Sequence, residues 1–443
     1  MRIQLSDHFE YKRILRFVAP SIFMMIFTSI YSVVDGLFVS NFVGKTSFAA
    51  INLMMPLFII LGALGFMLGT GGNAVVSHEL GKGDPARANR IFSFLVYTTI
   101  VIGVAVTLLG EVFLKQTAIL LGAEGAMLES CILYGRIILI GNTFFMLQNI
   151  FQAFFITGEK PKLGLLFTVL AGVTNMILDA LFVGLLGFGL AGAAWATITS
   201  QFVGGCIPFF YFARKNDSLL RLGKTQFMGR VLVRSSINGS SELMSNIAAS
   251  IVTILYNEQL IRYAGENGVA AFGVVMYLDF IFVAIFLGYS FGLAPVIGFH
   301  FGAADHDELK SLLRKSVILL GIAGIAMATL SLSGARLLSG IFVGYDADLY
   351  KMTLHGMIIY SFHFLLCGFN IFASSFFTAL GDGLVSAIIS FIRSLILQVA
   401  AILIMPLLWG LDGIWYAVLV VEVLSLAVAV WFLVKKKDKY HYA

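Results

Sequence analysis

Two carboxylates, Asp35 and Asp179, lie inside apolar stretches of this 443-residue sequence. Asn175 stands one helical turn before Asp179, Tyr31 one turn before Asp35, and the hydroxyl of Thr197 lies in a third apolar stretch. An ionised carboxylate inside lipid is costly, and such groups mark ion or proton pathways by default. Two that share one dry site repel each other, so a shared proton relieves them. Carboxylate, amide and hydroxyl oxygens together also suit a hard cation such as Na+. Asp35, Asn175, Asp179 and Thr197 therefore make a candidate cation or proton site, with Tyr31 beside it. The alternative is structural: each Asp bonds a neighbouring backbone group, or caps a break at Gly36. Depth is consistent with a shared site. At about 1.5 Å per helical residue, Asp35, Asp179 and Thr197 lie about 25 to 29 Å from the basic residues Arg16, Lys162 and Arg214 at the ends of their stretches.

The elements that must position these residues follow from composition. Hydrophobic residues make up 59% of the chain and charged ones 12%, against about 25% charged in a soluble domain. The apolar runs are continuous, not alternating, which excludes a barrel and leaves helices as the spanning element. Twelve runs of about 20 residues or more are present, near 14–40, 48–80, 91–112, 131–157, 164–186 and 189–212, then 236–261, 268–301, 316–338, 352–378, 384–408 and 413–434. The polar start leads into a run too long for a signal-peptide core, so it is expected to be retained. With the first helix running outward, 22 basic residues fall inside, among them Arg2, Lys12, Arg13 and Arg16, and only Lys45, Lys115, Arg262, Arg336 and Lys351 fall outside. That asymmetry places both termini in the cytoplasm and accounts for the net charge of +5 without a nucleic-acid partner. Cys131, Cys206 and Cys367 have no metal or redox spacing and read as packing residues.

The chain repeats itself at a shift of 221 residues. Between 148–204 and 369–425, 12 of 57 positions are identical at that one shift, which shared composition does not produce. Gly44 falls on Gly265 and Gly189 on Gly410, while Asp84-Pro85 and Asp305 with Glu308 form matched helix starts, the second as a capping box. Six helices per half insert both halves in the same orientation. The expected fold is all-α: twelve transmembrane helices in two parallel six-helix lobes related by a pseudo-two-fold along the membrane normal, the parallel-repeat architecture of secondary transporters. The expected units are residues 1–213, a linker at 214–235, and 236–443. The repeat is broken at Asp35, Asn175 and Asp179, whose partners are Tyr256, Ile396 and Ala400.

The stretches Val34-Asp35-Gly36-Leu37-Phe38-Val39, Leu80-Gly81-Lys82-Gly83-Asp84, Thr157-Gly158-Glu159-Lys160-Pro161-Lys162, Asn175-Met176-Ile177-Leu178-Asp179 and Gly192-Ala193-Ala194-Trp195-Ala196-Thr197 resemble, in this order, the multidrug and toxic compound extrusion (MATE) family, and within it the MepA-like bacterial branch. The resemblance covers essentially the whole chain. It implies two six-helix lobes forming a V around a central cavity, with entry of H+ or Na+ driving export of amphipathic, mostly cationic organic compounds. On that resemblance Asp35, Asn175, Asp179 and Thr197 form the first-lobe site and would be the metal ligands if the coupling ion is Na+. Glu242 matches an acidic residue early in the seventh helix, and Gln152 stands where some relatives carry Asn. No cofactor beyond the transported ion is implied. The expected setting is the bacterial cytoplasmic membrane, in contact with its lipid, as a multi-pass monomer. A lipid-linked oligosaccharide flippase of the same superfamily is the alternative.

Weaker signals remain. Asp279, Arg393, Arg136 and Glu422 are also intramembrane; Asp279, Glu242 and Gln152 are substrate-cavity candidates, with an Arg393 ion pair to one acid as the competing reading. His78 and His300, near helix ends, read as interfacial, and His363 lies deeper. Gly69-Thr70-Gly71-Gly72 has no following Lys-Ser/Thr and reads as close helix packing together with Gly65, not as a phosphate loop. No nucleophile elbow or metalloenzyme motif appears, so an enzyme is not expected.

Overall fold

The computed structural model describes residues 3–43 and 45–442; Arg2 and Gly44, named above, lie outside the described residues, as do the side chains of Leu37 and Lys45. Every regular element among the described residues is helical, because lipid offers the backbone no hydrogen-bond partner and an α-helix satisfies its own. The first half holds α1 (Tyr11–Phe42), α2 (Lys45–Gly81), α3 (Pro85–Leu120), α4 (Gly125–Thr157), α5 (Pro161–Asp179) and α6 (Gly189–Ala213). In the second half a 74-residue helix, Gly229–Gly302, breaks at Gly265 (φ 61) into α7 (229–264) and α8 (266–302). Next come α9 (His306–Val343) and α10, whose halves Ala347–Ser361 and Phe364–Ala379 are bent by 49°. A second break, at Trp409 and Gly410 (φ 55), separates α11 (383–408) from α12 (411–440). The expected twelve spans are all present, in two sets of six.

The internal repeat is visible in the backbone. Gly189 and Gly410, 221 residues apart, share φ 55, and Gly83 (φ 79) has its counterpart in Ala304 (φ 56). Alanine holds that left-handed conformation at a cost of about 1 kcal/mol. Asp84 accepts from the Arg87 N–H and Asp305 from the Glu308 N–H, capping α3 and α9 alike. The capping box, however, is only half formed. The Asp305 N–H bonds the His300 carbonyl at 2.9 Å, and the Glu308 carboxylate turns to the amino-terminal segment instead.

Residues 214–228 connect the halves without helix, so the last turns of the expected linker, 229–235, belong to α7. The connection lies along α3: Arg221 N–H donates to Asn89 Oδ1 at 2.5 Å, Gly223 N–H to Ser93 Oγ at 3.0 Å, and Thr225 Oγ1 to the Arg90 carbonyl at 2.8 Å.

The two halves meet backbone to backbone. A Cβ at Gly71 would fall 1.9 Å from the Ser235 carbonyl oxygen, one at Gly239 1.9 Å from that of Met67, and one at Gly81 2.0 Å from that of Phe299. Small residues permit this approach, and in lipid the resulting van der Waals contact is a main source of helix association. Across the halves His78 Nε2 lies 2.7 Å from the Ala379 carbonyl and Asn238 Nδ2 3.5 Å from that of Gly71, while within the second half the same amide donates to the Thr378 carbonyl at 2.8 Å. These contacts cluster toward the face that carries the termini. His78 and His300, in the last turns of their helices, are buried among neighbouring helices, each 3% exposed. Gly65 and Gly69 pack closely as expected, against Met146 and Ile150 of α4.

Gly239→Ala is expected to destabilise the protein by about 1–3 kcal/mol through overpacking, whereas Gly273→Ala, with open space around its Cβ, is neutral or stabilising by about 0.5–1 kcal/mol. Thermal unfolding of the two variants in the same detergent is the check; equal Tm values would remove the close-contact argument.

Candidate cation site

The site begins with a helix contact. A Cβ at Gly172 of α5 would fall 2.5 Å from the Phe27 ring and 3.0 Å from the Tyr31 ring of α1, so glycine there lets α1 lie directly on α5. Asp35 is one turn beyond Tyr31. Asp179 is the last α-helical residue of α5, and a π-helical segment, Ala180–Leu185, follows it at once; such wide turns recur at functional positions.

The packing brings Asp35 and Asp179 within hydrogen-bonding reach of each other. Asp179 is fully buried, Asn175 is 2% exposed, and Asp35 is half-buried. Oδ1 of Asp35 and both carboxylate oxygens of Asp179 are buried and receive no donor among the described residues. An ionised carboxylate can only accept, so two of them face each other with nothing to donate between them. A proton or a small cation is the chemistry that reconciles them. Helix α1 runs unbroken through Gly36, and Asp35 caps no helix end there.

The other expected residues take graded places. Asn175 sits one turn before Asp179 on α5. Thr197 is half-buried on α6, its hydroxyl donating to the Ala193 carbonyl of its own helix at 3.0 Å, which leaves its lone pairs as acceptors. Tyr31 lies against Phe27, ring centroids 6.1 Å apart, and feels the charge of Asp35. Tyr134 of α4 feels both carboxylates, and sequence reasoning missed it. One tyrosine among 15 tyrosines and 41 phenylalanines carries no distinguishing signal.

The second half resolves its charges differently. Arg393 donates to Glu422 through Nη2 at 2.7 Å and Nε at 3.1 Å, and Asn370 Nδ2 adds a bond at 2.6 Å. The acid that Arg393 neutralises is thus Glu422, and neither Asp279 nor Glu242. Asp279 Oδ1 stands 2.8 Å from His363 Nε2 at the bend of α10. Tyr256, the repeat counterpart of Asp35, donates its hydroxyl to Gln398 at 3.4 Å. Arg136 is 67% exposed, 3.8 Å from Glu111. Of the cavity candidates, Gln152 is buried, its Nε2 donating to Thr168 Oγ1 at 3.2 Å across α4 and α5, and Glu242 is half-buried on α7.

Comparison with known proteins agrees with this architecture. The MatE family model matches residues 20–181 and again 243–404, once in each half. This chain belongs to the MatE family. It is 24% identical over 437 residues to the multidrug export protein MepA of Staphylococcus saprophyticus, covering 97% of this chain and 94% of the relative. To MepA of Staphylococcus aureus it is 23% identical over 432 residues, with the same coverage. A structure described as the outward-facing conformation of a multidrug resistance MATE family transporter superposes with a TM-score of 0.90 at 23% identity, covering 96% of this chain and 95% of that one. The chain is thus a multi-span membrane transporter, not an enzyme.

Asp179→Asn places an amide donor opposite Asp35 and removes one of two facing charges. In Na+-free buffer at alkaline pH it is expected to stabilise the protein by about 0.5–2 kcal/mol, read as a higher Tm. A lower Tm would mean that the Asp179 carboxylate holds a structural bond.

Proposed function

We propose that this protein is a secondary multidrug exporter of the bacterial cytoplasmic membrane, exchanging entry of H+ or Na+ for extrusion of amphipathic, mostly cationic organic compounds. The observation that carries the reading is the pair Asp35 and Asp179: half-buried and fully buried respectively, side by side, and with no donor among the described residues to Asp35 Oδ1 or to either Asp179 oxygen. The MepA relatives, named as multidrug export proteins and aligned over nearly the whole chain, supply the class of cargo.

In this reading the first lobe, residues 1–213, carries the cation site, and residues 214–228 join it to the second, which α7 opens at Gly229. Both termini are cytoplasmic, as the 22 inside basic residues require. Asp35 and Asp179 take the cation between them, with Asn175 and Thr197 as neutral oxygen donors and Tyr31 alongside. The chain works as a monomer within the lipid. Exchange requires that cation and cargo each favour a different lobe arrangement, since a ligand that binds two states equally shifts neither. Glu242 and Asp279, on α7 and α8, are the acids that would face a cationic cargo in the cavity, and Gln152, bonded to Thr168 in the first lobe, is the neutral candidate on the other side. A flippase for pyrophosphate-linked lipids is disfavoured, because the unpaired charges are acidic.

Exchange of one monovalent cation for one monovalent dye moves no net charge, so a membrane potential, worth about 2.3 kcal/mol per charge per 100 mV, would not drive it. In proteoliposomes, ethidium efflux is expected to follow an imposed pH or Na+ gradient, and whichever gradient drives it identifies the ion. Asp35→Asn and Asp179→Asn are each expected to abolish efflux with expression intact. Normal efflux by both variants would end the assignment.

A further inference from the structure

The diverted carboxylate of Glu308 is the starting point. Its side chain is 6% exposed, accepts the Phe9 N–H at 2.8 Å, and also meets His8 Nδ1. Two turns further along α9, Lys315 Nζ donates to the Phe9 carbonyl at 2.6 Å. One helix of the second half thus grips both polar groups of the Phe9 peptide. The Phe9 ring is fully buried, edge-on to Phe17 of α1 at 5.7 Å and to His300 of α8 at 6.4 Å. Four residues earlier, Leu5 is also fully buried, and its N–H donates to Glu159 Oε1 at 2.8 Å, between α4 and α5 of the first half.

Residues 5–9 are therefore a strap pinned to both lobes. It crosses the face where Gly71, Gly81 and Gly239 press the lobes together. Phe9 leads directly into α1, which packs on α8 through Gly288, where a Cβ would fall 2.4 Å from the Ile22 Cα. Separating the lobes at this face carries the start of α1 away from α9 and must break the grip on Phe9. Hydrogen bonds to charged partners are among the stronger ones, and their loss shifts which lobe arrangement prevails.

We propose that Glu308, assisted by Lys315, is a positioning residue of the transport cycle: it latches the amino-terminal strap to the second lobe and holds the termini-bearing face closed. The latch rests on the two lobe arrangements proposed above, yet it can be read without transport. Spin labels at the exposed positions of Ala86→Cys and Lys310→Cys, with Cys131, Cys206 and Cys367 replaced by Ala, report the separation of the two halves at this face in proteoliposomes. Glu308→Ala and Lys315→Met are each expected to raise the long-distance population at least threefold. Glu308→Gln, whose amide oxygen still accepts from Phe9, stays within about twofold of the parent. Glu159→Ala, added to Glu308→Ala, brings no further rise, because a strap released at one end no longer links the lobes. Distances unchanged in both Glu308→Ala and Lys315→Met overturn the latch, as does Glu308→Gln shifting as far as Glu308→Ala, or Glu159→Ala adding a full independent step. The same measurement in an Asp35→Asn background still reports the latch when exchange is lost, so the two readings fail separately.

Discussion

Hydrocarbon cannot solvate a charge, and this constraint orders the molecule. Every intramembrane acid must find a donor, a counter-ion, or a proton or cation of its own. Glu422 has Arg393 and Asn370, and Asp279 Oδ1 lies 2.8 Å from His363 Nε2, an ion pair when that ring is protonated, though without a hydrogen bond. Among the described residues, Asp35 Oδ1 and both Asp179 oxygens have no donor, and the two carboxylates lie beside each other. The same rule that makes Glu422 a settled part of the second lobe makes the first-lobe pair chemically unfinished, which is what a site for a transient ligand requires.

The two lobes share a fold and a repeat but not this chemistry. Where the first has Asp35, the second has Tyr256, a neutral phenol bonded to Gln398; where the first has Asp179, the second has Ala400. Duplication supplies two compatible six-helix frames. Divergence at a few intramembrane positions leaves a pair of neighbouring carboxylates in the first half and uncharged residues at the matching positions of the second. In the proposed exchange, function follows from that difference between halves, which the shared backbone does not predict.

In the proposed exchange the lobes must also hold together and come apart. Glycine contacts give close approach without directional bonds, since the carbonyl oxygens of Ser235, Met67 and Phe299 meet backbone where any Cβ would collide. Surfaces of this kind can part without leaving many buried polar groups unpaired. The strap from Leu5 to Phe9 adds the directional element that such contacts lack, drawn from the polar residues next to the membrane, where a broken hydrogen bond can be replaced by water.

The sequence alone determined the twelve apolar spans, with the interruptions at 262–267 and 409–412 between them, the 221-residue repeat and the acids at Asp35 and Asp179. Hydropathy, helix length and intramembrane charge are local properties that a linear reading contains. Tertiary structure decided which acid meets which partner: Arg393 with Glu422, Asp279 with His363, Tyr134 near the first-lobe pair, His78 and His300 buried between helices, and Glu308 taken from its capping box to Phe9, 299 residues away in the chain. Those pairings depend on the rotation and tilt of each helix against its neighbours. Both are set by how small residues such as Gly172 and Gly239 seat one backbone on another, and no periodicity along the chain encodes them.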